Sequence, residues 1–513
     1  MNKALIFVAV WAFAVSQVKS DLDGYHSFDS SVITPIAESG EVDNSFWNSK
    51  AQCSLKEQVN RKPNKNIAKN IIMFLGDGMS IPTLTATRIY KWQRAQQKMG
   101  EDTFLSFEEF PFVGLSRTYC VDTQVADSAC SATAYLGGVK GNIGTIGVNG
   151  RVKKQDCDAS LLPSNRVDSI AAWAQKAGKS AGLVTTARVT HASPAGTFTY
   201  IADRDWEADS DVMRDGKDPK KCEDIAKQLI TRSPGKDFNV ILGGGRKNFL
   251  PKNDPVLGKG VRKDGVNLIK TWMTDKAARN ASYAFVIDRH GLLSLEEVPD
   301  YLLGLFTESH LAYNLEADQN QPTLEEMTAE AIEVLQKNKK GYFLFVEGAK
   351  IDMAHHESRA QMSLDETIEF AKAIERAVKM TNESDTLIVV TADHAHTMSM
   401  SGYAPRRESI FGFGGMAADA KPYSILTYAN GMGYKVVNGG RPDMSKDNRE
   451  HFKYVFPSAA PLSHETHGGD DVAVFARGPY SHIFSGSYEQ NYIPHAMAYA
   501  ACIGDGLKAC DEQ

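Results

Sequence analysis

The sequence predicts an α/β fold, a large and mostly parallel central sheet flanked by helices. Three observations predict it. Short runs rich in β-branched and aromatic residues recur along the chain, and most are apolar without alternation. A strand buried on both faces reads that way. Helical stretches lie between the runs. Acids and histidines follow several runs directly, as expected where ligands gather at the carboxyl edge of a parallel sheet.

The runs are 71–75, 181–185, 240–242, 285–287, 342–346, 387–391 and 472–475. Helices are expected over 168–177 and over 324–336, the second with Pro322 near its start. From 402 to 460 the rhythm breaks. Glycines and prolines concentrate there, which predicts a loop-rich insertion between two sheet strands.

Composition narrows the class. Length alone allows three or four domains at about 150 residues each, a soft figure because a large sheet takes many residues. The 513 residues are 42% apolar and 23% charged, which excludes a disordered, collagen-like or multispan membrane chain. Lys plus Arg is 57 against 63 Asp plus Glu, a net charge of -6. No basic excess exists to draw nucleic acid or anionic lipid.

The N-terminus reads as a secretory signal over 1–20. Lys3 is the positive region, residues 4–15 are apolar, and Val18 and Ser20 suit a cleavage site. The mature chain, secreted and extracellular, is expected to begin at Asp21. No apolar stretch of bilayer length follows, and the sequence ends without a hydrophobic tail, so neither a transmembrane nor a lipid anchor is expected. In an oxidising compartment Cys502 can close a short loop with Cys510, and Cys157 can reach Cys222. Cys53, Cys120 and Cys130 are left without assigned partners, and an odd total leaves at least one free thiol. Asn280 and Asn382 head glycosylation sequons.

Chemistry gathers at four strand ends. They carry Gly76-Asp77-Gly78, then Glu347 with Asp352, His355 and His356, then Asp393-His394-Ala-His396, and finally His464-Glu-Thr-His467. Carboxylates mixed with imidazoles suit zinc, and magnesium where oxygen dominates. A single Asp-His pair is more often a cap or a surface feature, but four ends sharing one habit outweigh that reading. Ser128 stands where a helix of small residues should begin, and free N–H groups there favour an anion. The local alternative is a simple N-cap. Cys130 competes as a nucleophile from within the helix and ranks below Ser128. The Gly-rich turn 243–245 lacks a phosphate-loop Lys and reads as structural.

Asp127-Ser128-Ala, Thr190-His191-Ala-Ser193-Pro-Ala-Gly, Val346-Glu347-Gly, Asp352 through His356, Thr391-Ala-Asp393-His394 and Glu465-Thr-His467-Gly-Gly together resemble animal alkaline phosphatase. The likeness runs from Phe46-Trp47-Asn48 to the closing cysteines. It implies a metal-dependent phosphate-monoester hydrolase with two zinc ions and one magnesium ion per chain. Ser128 matches the serine that takes the phosphoryl group in line, and hydroxide on zinc would then hydrolyse the phosphoserine. Asp352, His356 and His467 match ligands of one zinc. Asp77, Asp393 and His394 match ligands of the other. Asp77, Ser193, Glu347 and His191 match the magnesium site, Arg204 the clamp on phosphate, and His396 a histidine just behind the ligands.

Two departures stand out. Met353 occupies the position beside Asp352 where vertebrate members carry His. Thr307 and Gln321 replace two acids of the vertebrate calcium site, so calcium is not expected. The resemblance also implies one domain over 21–513, in a homodimer embraced by an N-terminal arm (25–55) and joined at a crown insertion (402–460). Two alternatives compete. A phosphodiesterase of the same superfamily usually carries Thr at position 128, and a sulfatase needs a Cys-x-Pro-x-Arg motif that is absent around Cys130. An inactive secreted binding protein would have lost a ligand, and every ligand position is filled.

Overall fold

A computed structural model describes residues 40–95 and 100–511. The expected signal peptide and the first part of the arm, 25–39, lie outside these residues. The central sheet has ten strands. Eight of them, in chain order, are β1 (Asn70–Gly76), β2 (Phe112–Arg117), β3 (Ser180–Arg188), β4 (Val240–Gly244), β5 (Tyr283–Val286), β6 (Tyr301–Leu305), β7 (Tyr342–Gly348) and β8 (Thr386–Thr391). Val472–Arg477 and Gly486–Glu489 complete it. The spatial order is Gly486–Glu489, β2, Val472–Arg477, β8, β1, β7, β3, β4, β6, β5.

β8 through β5 are mutually parallel. Val472–Arg477 runs antiparallel to both β8 and β2. This corrects the expectation that the last apolar run contributes a carboxyl end. His467 precedes its strand, and the reversed direction brings that amino end to the same edge as the other carboxyl ends. The seven expected runs all fall on strands, except that 285–287 extends one residue past the end of β5. β2, β6 and Gly486–Glu489 were not foreseen.

Both sheet faces are covered, and the side-chain period of two divides each strand between two cores. Ile71, Met73 and Leu75 of β1 enter one core and Ile72 and Phe74 the other. β7 sends Phe343 and Phe345 one way and Tyr342, Leu344 and Val346 the other. The expected helices appear as Ile170–Lys176 and Leu324–Leu335. Thr323 caps the second by accepting from the Glu326 N–H, with the Glu326 side chain returning the bond.

The insertion is more ordered than a loop-rich segment. It carries a three-stranded sheet of Met398–Met400, Leu426–Gly431 and Ser458–Pro461 and a pair Phe413–Met416/Pro422–Ser424. Ile410, Phe411, Ile425, Tyr428 and Phe456 bury against Ile89, Tyr90 and Leu364 of the main body. The strands begin before residue 402 and end after 460, so the insertion grows from the main fold at both ends. The helix Asn44–Asn60, within and beyond the expected arm, has no buried residue, and Trp47 stands 49% exposed.

Cys157 is joined to Cys222 and Cys502 to Cys510. A third bridge, Cys120–Cys130, uses two of the cysteines left unassigned, and Cys53 is an exposed free thiol. Asn280 and Asn382 are both exposed. Among the described residues no helix is long and apolar enough to cross a membrane.

Candidate active site and metal centre

The site forms where β1, β7 and β8 end side by side. Leu75 of β1 is level with Glu347 of β7 and with Thr391 of β8. Asp77 therefore leaves the edge beside Glu347 and Asp393. Gly78 has φ +67° and lies so close to His396 that a Cβ would meet the imidazole at 2.3 Å. Its N–H donates to Asp393 Oδ1 at 2.9 Å. A short antiparallel pair aligns His467 with His396.

Asp127, not Ser128, is the N-cap of the helix Ser128–Gly137, and its carboxylate accepts from the Cys130 N–H. With Asp127 as the cap, the Ser128 hydroxyl is not spent on the helix end. Ser128 is 2% exposed, with Oγ 3.2 Å from His394 Nε2. Asp127 also accepts from the Gly144 N–H and from Arg204 Nη1 at 3.0 Å. Burial opposes ionisation, but the Arg204 guanidinium and these N–H donors hold the Asp127 carboxyl below its ordinary value. Arg204 Nη2 donates to His191 Nε2 at 3.3 Å. The arginine is thus pinned from two sides beside Ser128. Cys130 is in a bridge, which removes it as a competing nucleophile.

Two imidazoles face each other behind the serine. His356 Nδ1 donates to the Glu465 carbonyl and His467 Nδ1 to the Ala126 carbonyl, at 2.5 and 2.8 Å. Such carbonyls fix the tautomer that presents Nε2 outward. The two Nε2 atoms lie 3.1 Å apart, each 3.3 Å from Asp352 Oδ1. Burial holds both rings below their ordinary pKa, so neutral rings would aim lone pairs at each other. A cation removes that conflict. His394 repeats the arrangement. Its Nδ1 donates to the Ala395 carbonyl, and Nε2 lies 3.0 Å from Asp393 Oδ2 and 3.6 Å from Asp77 Oδ1.

Several buried atoms here accept or donate no hydrogen bond. They are both Asp77 carboxylate oxygens, Asp393 Oδ2, Glu347 Oε1, Ser193 Oγ and His191 Nδ1. Leaving such groups unpaired is costly. Burial pushes the Asp77 carboxyl well above its ordinary range, and Asp393, Asp352 and Glu347 push it further. Burial likewise lifts Glu347 to about 7. Donor atoms of Asp352, His356, His396 and His467 lie within 4.8 Å of one another, as do those of Asp77, Asp352 and His394, and of Asp77, His191 and Glu347. The donor chemistry fits cations: nitrogen-rich at Asp352, mixed at His394, oxygen-rich at Glu347.

His396 is not a free donor. Its Nε2 meets Asp352 Oδ1 at 2.6 Å and its Nδ1 meets Glu465 Oε2 at 2.5 Å. Although burial disfavours its charge, Glu465 and Asp352 raise it to about 10. With both nitrogens on carboxylates, the ring holds Asp352 in place.

Some expected participants stand aside. His355 is buried beside His396, with ring centroids 4.8 Å apart, but its nitrogens are bonded to Tyr428, Thr83 and Ser363. His464 is exposed beside Ser463. Met353, expected beside His396 behind the ligands, follows Asp352 in the helix and packs against Tyr313, Ala354 and Met362. Thr307 and Gln321 spend their side chains on backbone partners, the Ser309 carbonyl and Ala312. Sequence reasoning assigned no role to Asp127 or Glu465, although both stand inside quoted motifs. Thr185, which donates to Glu347 Oε2, lies within an apolar run and gives no signal.

The family model for alkaline phosphatase matches residues 68–503. The chain is 48% identical over 504 residues to the membrane-bound alkaline phosphatase of Bombyx mori, covering 95% of this chain and 91% of that protein. It is 46% identical over 482 residues to the human tissue-nonspecific isozyme, covering 92% and 91%. The alkaline phosphatase of Thermus thermophilus shares the fold, with a TM-score of 0.61 at 20% identity over 88% of this chain and 97% of that one. A buried, cation-fitting donor cluster around a serine at a helix N-terminus defines a metal-dependent hydrolase. The chain belongs to the alkaline phosphatase family, and it is a phosphate-monoester hydrolase.

Proposed function

We propose that Ser128 accepts the phosphoryl group and that Arg204 clamps it. The observation that carries this reading is the placement of Ser128 Oγ at a helix N-terminus, 3.2 Å from His394 Nε2, beside an arginine held by Asp127. Asp352, His356 and His467 would hold one zinc, and Asp77, Asp393 and His394 the other. Asp77, Glu347, Ser193 and His191 would surround magnesium. When bound, these cations supply Lewis acidity and lower the pKa of coordinated hydroxyl and water.

The chain's own groups do the rest. Arg204 Nη1 stays bonded to Asp127, and its remaining N–H donors address two phosphoryl oxygens. The helix dipole and free N–H groups at Ser128 favour the anionic group. Ser128 attacks in line, and the leaving oxygen departs toward the His356–His467 side. Water entering from that side attacks phosphorus, breaks its bond to Ser128 Oγ, releases inorganic phosphate and leaves a proton for the serine oxygen.

Ser128→Ala should lower kcat for p-nitrophenyl phosphate at least ~100-fold. A chelator should abolish wild-type turnover. Full activity in Ser128→Ala, or chelator-insensitive turnover, contradicts the reading.

The same reading includes secretion with cleavage before Asp21, glycosylation at Asn280 and Asn382, and a homodimer. The exposed helix Asn44–Asn60 supports the dimer, since it buries nothing within one chain. N-terminal sequencing, glycosidase treatment and light scattering test the three in turn.

A further inference from the structure

We propose that the Cys120–Cys130 bridge is a brace that positions the reacting serine, its arginine and one histidine of the metal centre together. The inference rests on the roles given above to Ser128, Arg204 and His467. The two cysteines are ten positions apart, and the loop they close contains Ala126, Asp127 and Ser128. Each of these serves a different part of the site. The Ala126 carbonyl accepts from His467 Nδ1. The Asp127 carboxylate accepts from Arg204 Nη1. Ser128 carries the oxygen beside His394.

Apart from the bridge and these contacts, the loop is tied to residues 141–144, where the Val121 N–H donates to the Gly141 carbonyl and the Asp122 and Asp127 carboxylates accept from the Ile143 and Gly144 N–H groups. Thr123 and Gln124 are exposed or half-exposed, and Val121 and Val125 are 57% and 36% exposed. Its small core is Cys120, Ala126 and Cys130 alone. Both cysteines are 2% exposed. Cys130 also donates its N–H to Asp127 Oδ1, so the bridge reaches the cap that fixes the helix N-terminus. At its other end Cys120 closely follows β2, which pairs with Val472–Arg477, the strand reached directly after His467. The bridge thus ties the serine's helix to the strand pair beside the opposing histidine.

The test compares metal-loaded Cys120→Ala/Cys130→Ala with Cys502→Ala/Cys510→Ala, which opens a loop of similar length that contains none of the site residues. Three readouts follow the three contacts: kcat for p-nitrophenyl phosphate, inhibition by inorganic phosphate, and zinc release to a chromogenic chelator. In the first variant kcat should fall at least tenfold, phosphate should inhibit at least fivefold less tightly, and zinc should leave at least tenfold faster. The second variant should stay within twofold on all three. Equal effects in both variants, or changes under twofold in the first, overturn the proposal. If the first variant does not accumulate, wild-type holoenzyme partly reduced with tris(2-carboxyethyl)phosphine is sorted by which cysteines become alkylated. Molecules open at Cys120–Cys130 should show the same losses, and full function in them overturns the proposal. Zinc release needs no turnover, so it reads the brace even if Ser128→Ala proves fully active.

Discussion

Asp352 shows how single residues carry this site. One of its carboxylate oxygens meets His356, His467 and His396, and His396 is steadied in turn by Glu465. Glu465 also receives the Thr397 N–H and hydroxyl, while its backbone carbonyl receives His356. Glu465→Gln keeps the shape but removes the charge that keeps His396 protonated. It should weaken zinc affinity about 10–100-fold, as losses behind metal ligands do, measured by competition with a zinc chelator; unchanged affinity would show that His396 does not need the charge. Asp127 carries a pH signature. Its folded pKa lies below the unfolded value of about 3.9. Its contribution is therefore complete above about 3.9 and lost as pH falls through the lower folded value. The denaturation midpoint of Asp127→Asn should lie below wild type at neutral pH, and the gap should close in acid. A constant gap would contradict the assignment. At the residue scale the sequence displays residue types but not the direction in which each side chain points. His355 and His356 are neighbours in sequence, yet helix rotation turns His355 to the hydroxyls of Thr83, Ser363 and Tyr428 and His356 to Asp352 and His467.

The strands explain which elements the sequence reveals. β1, β7 and β8 are buried on both faces, so their apolar runs are continuous and visible. β2 has Val113 and Leu115 turned outward at 46% and 41% exposure, and β6 is interrupted by Gly304. Neither presents a continuous run, so both escape. The antiparallel direction of Val472–Arg477 is also invisible, because a run of buried residues carries no sense of direction. The same contrast predicts energetics. Phe74 packs edge-on against Phe370 with ring centroids 5.9 Å apart and is fully buried. Phe74→Ala should cost ~3–5 kcal/mol by denaturant unfolding of the metal-free protein. Val113→Ala should cost under ~1 kcal/mol. Equal costs would contradict the two-core description. The third bridge was illegible for a related reason: three unassigned cysteines allow several pairings, and only folding brings Cys120 to Cys130 while leaving Cys53 on an exposed helix.

At the scale of the whole molecule, a mild net acidity hides a concentrated one. Asp77, Glu347, Asp352 and Asp393 lie buried around one edge of a ten-stranded sheet, and their charges oppose one another without cations. Cation binding should therefore stabilise the fold. Removing metals should lower Tm, and zinc with magnesium should restore it; occupancy a thousandfold above Kd contributes ~4 kcal/mol per site. An unchanged Tm would show that these carboxylates settle their charge in another way. The central claim, that this arrangement passes the phosphoryl group through Ser128, has a direct measurement. The holoenzyme is mixed with a phosphate monoester, quenched in acid and mapped by mass spectrometry. The account predicts a phosphoryl group on Ser128 and none in Ser128→Ala. Phosphate on another residue, or steady turnover with no phosphoenzyme at any quench time, would contradict it.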